Sequence, residues 1–204
     1  MASTSRVLGE VTQKKPPVRQ KNLDVRCREH LLPDEVDALI KGARSSRYPE
    51  RNSTLILTMY RHGLRTSEVI ALRWAQIDLR MGLMHINRLK HGVPSTHPIS
   101  AKESRALHTL KRQNASNSPF VFVSERGGPL SRRTVHDIVK FAGEKAELDF
   151  PAHPHQLRHA CGYYLALNGQ DTRAIQAYLG HRSIEHTVRY TALAPDRFKN
   201  FWQD

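Results

Sequence analysis

From residue 31 onward, prolines and glycines divide the chain into short stretches, and most of those stretches carry apolar residues at helical spacing. Pro33 suits a first helical residue, and Val36, Leu39 and Ile40 follow three and four apart. A second helix is predicted over residues 50–62, with Gly63 as its C-terminal cap. A third follows with Thr66 or Ser67 as cap and Val69, Ile70 and Leu72 facing inward. Further helices are predicted over residues 101–113, then from Ser131 with Val135, Ile138, Val139 and Ala142 on one face. Three more fall near residues 155–167, 172–179 and 183–190, separated by Asn168-Gly169 and by Gly180. A last helix after Pro195 puts Phe198, Phe201 and Trp202 on one apolar face, able to complete the core or to dock on a neighbouring subunit. Strand-like alternation is confined to residues 83–89, a partner at 95–99 across a turn at His91-Gly92, and a short stretch at 120–123. The expected fold is mainly α with a small antiparallel β-sheet, of the α+β class.

No internal repeat appears, and 204 residues suffice for one sizeable core, or a modest core and a flexible arm. Residues 30–204 read as a single domain. Residues 1–29 carry Arg6, Lys14, Lys15, Arg19, Lys21, Arg26 and Arg28 around Pro16-Pro17 without apolar period. They read as a disordered basic arm, equally suited to lying along phosphates or to staying solvated. Over the whole chain 32 Lys and Arg face 19 Asp and Glu, a net charge of +13 that favours a polyanionic partner and salt-sensitive association. No apolar run approaches the roughly 18 to 20 residues that span a bilayer. The N-terminus lacks the apolar core of a signal peptide. Cys27 and Cys161 stand far apart and fit neither a disulfide framework nor a metal site. The expectation is a cytoplasmic protein in a reducing setting.

Four separated segments share one chemical theme. Gly63-Leu64-Arg65-Thr66-Ser67-Glu68 puts an arginine at a helix entrance, where backbone donors and a planar guanidinium suit an anion, although a solvated surface role fits as well. His153-Pro154-His155-Gln156-Leu157-Arg158-His159 starts a helix that sets His155, Arg158 and His159 on one face. Alternating histidines suggest metal ligands, but no Asp, Glu or Cys nearby completes a shell, and Arg158 favours a phosphate instead. Leu179-Gly180-His181-Arg182-Ser183 places a histidine after a glycine, with Tyr190 nine positions further on. Taken alone, the histidine also reads as a capping or surface residue, and the tyrosine reads first as a core residue. Tyr48, Tyr60, Tyr163, Tyr164 and Tyr178 compete with Tyr190, and composition selects none of them. Finally, Arg88-Leu89-Lys90-His91-Gly92 carries a lysine at a hairpin tip, which is solvated or reaches into a groove.

Taken in order, these segments resemble the tyrosine recombinase, or integrase, family. Its pattern of an arginine, a hairpin lysine, His-x-x-Arg, a histidine or tryptophan, and a tyrosine corresponds here to Arg65, Lys90, His155 with Arg158, His181 and Tyr190. The resemblance covers residues 30–204 and is strongest to the short fimbrial phase-switch invertases. Arg88 to Gly92, Ser95-Thr96-His97-Pro98, and the run from Asp171 to His181 share their wording. Most of the family has a separate N-terminal domain that clamps DNA; the short invertases lack it, and none is expected here.

The resemblance implies a site-specific recombinase that cuts and rejoins double-stranded DNA through a 3′-phosphotyrosine at Tyr190, with no cofactor and no metal. Arg65 and Arg158 would neutralise charge developing on the phosphate, and His181 would hold a non-bridging oxygen. A tyrosine with a pKa near 10 is only about one part in a thousand ionised at neutral pH. His155 is therefore the expected activating base, and Lys90 the acid for the departing 5′-oxygen. Glu68 and His159 are supporting residues, Glu68 as an orienting group. Since the covalent bond conserves the energy of the broken one, joining needs no ATP. A homo-tetramer on two recombination sites is implied, with accessory DNA-bending proteins as further candidates and no membrane partner. Inversion is the expected outcome. A topoisomerase acting within one duplex, a metal-dependent nuclease and a catalytically silent DNA-binding regulator are the competing readings.

Overall fold

The apolar run that follows Pro49 builds the centre of the molecule. The structure, a computed structural model, describes residues 29–88, 92–113 and 118–192. After α1 (Pro33–Ala43), helix α2 (Pro49–His62) buries every residue from Asn52 to Tyr60, so it is surrounded rather than amphipathic. Pro49 opens it where a missing N–H is harmless, one residue earlier than expected, and Gly63 closes it in the left-handed region at φ 56°. Helix α1 turns Val36, Leu39 and Ile40 inward against α2 and against α5 (Arg132–Lys145). The other sides of α2 meet α4 (Ala101–Gln113) and α6 (Pro154–Leu167).

Helix α3 (Thr66–Ala71) has its cap one residue before the first of the two expected positions. Neither Thr66 nor Ser67 caps it; Arg65 does, because the Glu68 carboxylate reaches back to accept the Arg65 backbone N–H at 2.9 Å. A single 3₁₀ turn, Trp74–Gln76, leads into a three-stranded antiparallel sheet in the order β1 (Ile77–Asp78), β2 (Leu83–Ile86), β3 (Ser95–Pro98). Met84 pairs with His97 and Ile86 with Ser95, so the inward face carries Met84, Ile86 and His97. The strand expected over 83–89 stops at Ile86, and two residues later the Arg88 side chain bonds to neighbouring helices.

Residues 120–123 are not a strand. They form isolated bridges, Arg73 to Phe120 and Val123 to Pro129, because Pro119 and Pro129 lack the N–H a ladder requires. Val121 and Phe122 are buried all the same. Ser131 caps α5 as expected, accepting the Thr134 N–H at 3.0 Å. Helices α6, α7 (Thr172–Leu179) and α8 (Glu185–Ala192) then pack on one another, with Asp171 capping α7. The overall architecture is mostly helical with one small sheet, as the sequence predicts. Among the described residues no helix is long and apolar enough to cross a membrane. Lys90, the basic arm through residue 28, Cys27 and the helix expected after Pro195 lie outside the described residues.

Candidate active site

The site forms where the C-terminal ends of α2 and α7 meet the starts of α3 and α6. Arg158, one turn into α6, is 1% exposed, and its guanidinium donates to the carbonyls of Gly63 and Leu179. It therefore ties together two helix ends whose last carbonyls have no partner within their own helix. Burial pulls the guanidinium down to about 10, helped by Arg65 and Arg88, so it stays charged at neutral pH.

Glu68, 4% exposed, is the anchor of the cluster. Its Oε1 accepts from Arg65 Nη1 at 2.8 Å and its Oε2 from Arg88 Nη1 at 2.9 Å, while Arg158 Nη1 lies 4.0 Å away. Burial pushes the carboxyl up, but the Arg65 backbone N–H, the Arg88 charge and the Arg65 side chain hold it below its ordinary value. Three guanidinium groups thus converge on one carboxylate. An excess of buried positive charge is unfavourable alone and is relieved by an incoming anion. Arg65, whose side chain is 28% exposed, opens this cluster to a cleft of about 500 Å³ shared with Ser67, Arg132, His136, His153 and His155.

Tyr190 on α8 lies beside the cluster and is 2% exposed. Its ring lies edge-on to Tyr163 at 5.0 Å between centroids, and parallel to His181 at 6.3 Å. Gly162 of α6 makes room for it, since a Cβ there would come within 2.6 Å of the ring. The Tyr190 hydroxyl lies 3.0 Å from Nδ1 of His159. Burial raises the phenol, although Arg189 and Arg158 pull the other way. His159 is held down to about 2 by burial, then by His155, Arg189 and Arg158. With a protonated phenol and a neutral imidazole, the hydroxyl donates to Nδ1 in the tautomer that carries its hydrogen on Nε2. His181, held down to about 3 by burial and then by Arg158 and Arg65, is also neutral, with Nδ1 bonded to the Thr187 hydroxyl at 2.9 Å.

The structure therefore brings together Arg65, Glu68, Arg158, His159, His181 and Tyr190. His155 is exposed, lines the cleft with Arg65, and lies 4.4 Å from the His159 ring; His159, not His155, touches the Tyr190 hydroxyl. Three neighbours have no role that the sequence predicts: Arg88, Thr187 and Gly162. Arg88 had a signal, because it shares strand parity with the inward-facing Met84 and Ile86. Among the described residues no cluster of three His, Cys, Asp or Glu is arranged to hold a metal ion.

A buried cationic pocket with a tyrosine at its wall suits a phosphodiester, and comparisons with known proteins show the class of enzyme to which the chain belongs. The profile of the phage integrase family matches residues 29–197. Type 1 fimbriae regulatory protein FimB of Escherichia coli strain K12 is 43% identical over 183 residues, covering 88% of this chain and 92% of that protein. Tyrosine recombinase XerC of Pseudomonas syringae pv. tomato is 36% identical over 174 residues, 81% of this chain but 58% of that protein. Among solved structures, XerA recombinase superposes with a TM-score of 0.73 at 26% identity, covering 84% of this chain and 63% of that one. XerH recombinase bound to palindromic difH substrate, in a post-cleavage complex, shares the fold with a TM-score of 0.73 at 19% identity, over 89% of this chain and 54% of that one. The chain belongs to the phage integrase family and is a site-specific recombinase of the tyrosine class, the enzymes that break and rejoin DNA.

Proposed function

We propose that this recombinase cleaves double-stranded DNA by attack of the Tyr190 hydroxyl on a phosphodiester, forming a 3′-phosphotyrosine and releasing a 5′-hydroxyl. The observation that carries the proposal is the convergence of Arg65, Arg88 and Arg158 on the single carboxylate of Glu68, with Tyr190 and His181 beside them. Arg65 and Arg158 bind the non-bridging oxygens, where negative charge grows as the phenolic oxygen approaches. In the tautomer where Nδ1 accepts from the Thr187 hydroxyl, His181 carries its hydrogen on Nε2 and donates it to the same oxygens. The proton of Tyr190 passes to His159, whose Nδ1 lies 3.0 Å from the hydroxyl. Burial is the larger cause of the low basicity of His159, and an anionic phosphate nearby offsets the part that comes from neighbouring positive charge. His155, next to His159, carries that proton toward the open cleft. Lys90 protonates the departing 5′-oxygen. Rejoining reverses the steps: a 5′-hydroxyl attacks the phosphotyrosine and restores the phenol.

The larger cycle follows from the same reading. Four copies on two DNA sites exchange one pair of strands and then the other, with DNA-bending proteins as accessory partners and the cytoplasm as the setting. Residues 30–204 act as the catalytic domain, and the arm of residues 1–29 lies along phosphates. Inversion of the intervening segment is the outcome, supported by the wording shared with short phase-switch invertases and by the likeness to two E. coli fimbriae regulatory proteins, each 43% identical. The test has two stages. DNA covalently attached to the protein in cells is recovered and sequenced, which identifies the site. Two copies of that site are then placed in inverted orientation on a plasmid. Inversion with the purified chain in chelator is expected. Plasmid relaxation without any exchange between sites would contradict it and point to a topoisomerase.

A further inference from the structure

Arg88 is the one guanidinium of the cluster with no task in the cleavage chemistry. Its side chain is 0% exposed and binds three separate elements. Nη1 donates to Glu68 Oε2 on α3 at 2.9 Å, and Nη2 donates to the His62 carbonyl at the end of α2 and to the Tyr178 carbonyl of α7. Two glycines leave the space it fills. A Cβ on Gly180 would come within 2.6 Å of Arg88 Cγ, and one on Gly92 within 2.7 Å of Arg88 Cβ. Arg88 is therefore fixed to a rigid frame, while Arg65 is a partly open side chain that, among the described residues, is held through Glu68.

We propose that Arg88 is a positioning residue for strand cleavage: by occupying Glu68 Oε2 it confines the Arg65 side chain to Oε1 and leaves the outer edge of its fork for the scissile phosphate. An arginine and a carboxylate prefer a two-point pair, with two parallel N–H bonds to the two oxygens. Here Oε2 is already taken by Arg88 and by the Arg65 backbone N–H, so the Arg65 side chain meets Oε1 alone. Without Arg88 the second oxygen opens to Arg65, whose fork then turns inward and neutralises the carboxylate instead of the phosphate. Lysine at position 88 keeps the charge but loses the planar fork that reaches carboxylate and carbonyls together.

The inference rests on Arg65 being a phosphate ligand, and the experiment separates the two ideas. The probe is a nicked duplex carrying the attachment sequence recovered from cells, which traps the covalent adduct in a single turnover. Arg65→Ala, Arg88→Met, Arg88→Lys and the double variants Arg65→Ala/Arg88→Met and Arg65→Ala/Arg88→Lys are compared for duplex affinity and for attachment rate. Arg88→Met is expected to lose about 100-fold in rate, with affinity changed less than about threefold. Arg88→Lys is expected to recover part of that loss. Each double variant is expected to be no slower than Arg65→Ala, because residues acting as a unit are not additive. If Arg88→Met does not fold, as judged by its thermal melt, the lysine variants carry the same comparison. Losses that multiply in the doubles, equal losses of affinity and rate, or a wild-type rate in Arg88→Lys overturn the proposal. A wild-type rate in Arg65→Ala overturns it together with the phosphate-binding assignment of Arg65. Loss in Arg65→Ala with none in either Arg88 variant overturns it alone.

Discussion

His97 and His181 are buried and His159 is half-buried, each near arginines or another histidine, and burial is the larger cause of their low basicity, at about 3 for His97, about 2 for His159 and about 3 for His181. In the unfolded chain each takes up a proton below about pH 6.5. Between the folded and unfolded values the unfolded state binds more protons, so stability rises with pH through that window and is complete above it. For His97 and His181, 1% and 9% exposed, each pH unit below about 6.5 costs up to about 1.4 kcal/mol per residue. Urea unfolding is expected to show a constant midpoint from pH 7 to 8 and a steep fall from pH 6.5 to 5. A midpoint unchanged down to pH 5 would contradict the neutral histidines. Glu68, held below its ordinary value, adds a separate loss only in more acid solution. At this scale Arg65, Glu68, His155, Arg158, His181 and Tyr190 stood out in the sequence through motif wording. His159 stood out too, but as a supporting residue and not as the histidine that meets Tyr190, because His155 and His159 are four apart on one helix face and spacing treats them alike. Only the docked position of α8 separates them.

Helix α8 packs on α6, where Tyr190 meets Gly162, and that contact sets the position of the proposed nucleophile. Replacing glycine by alanine inside a helix ordinarily gains up to about 1 kcal/mol. Gly162→Ala is expected to do the reverse, losing about 1–3 kcal/mol by overpacking the ring, as read by denaturant unfolding. A more stable variant would show that the ring is not seated there. Elements punctuated by local chemistry were legible in advance: Pro33 opens α1, Ser131 caps α5, and Gly63 and Gly180 end α2 and α7. Residues 120–123 misled because Val121 and Phe122 are buried as a strand would be, while the backbone pairs only at isolated bridges. Strand β1, two residues long, is too short to carry any period. The cap of α3 depended on a side chain reaching backward, which composition at the helix start does not reveal.

The whole molecule carries a net charge of +13, and residues 1–28 contribute seven Lys and Arg against Glu10 and Asp24. If the arm lies along DNA, deleting it weakens binding mainly at low salt. The slope of log affinity against log salt then falls by about 0.9 for each phosphate that the arm had neutralised. An unchanged slope would place the arm in solvent. The positions of covalent attachment are expected to stay the same, since they depend on the site and not on the arm. The central claim is that Tyr190 becomes bonded to DNA. Tyr190→Phe removes a single oxygen while keeping the ring that packs against Gly162, Tyr163 and His181. Incubated with the trapping duplex and resolved under denaturing conditions, it is expected to bind DNA with affinity close to that of the unaltered chain and to yield no covalent adduct. An adduct that persists in Tyr190→Phe would contradict the account.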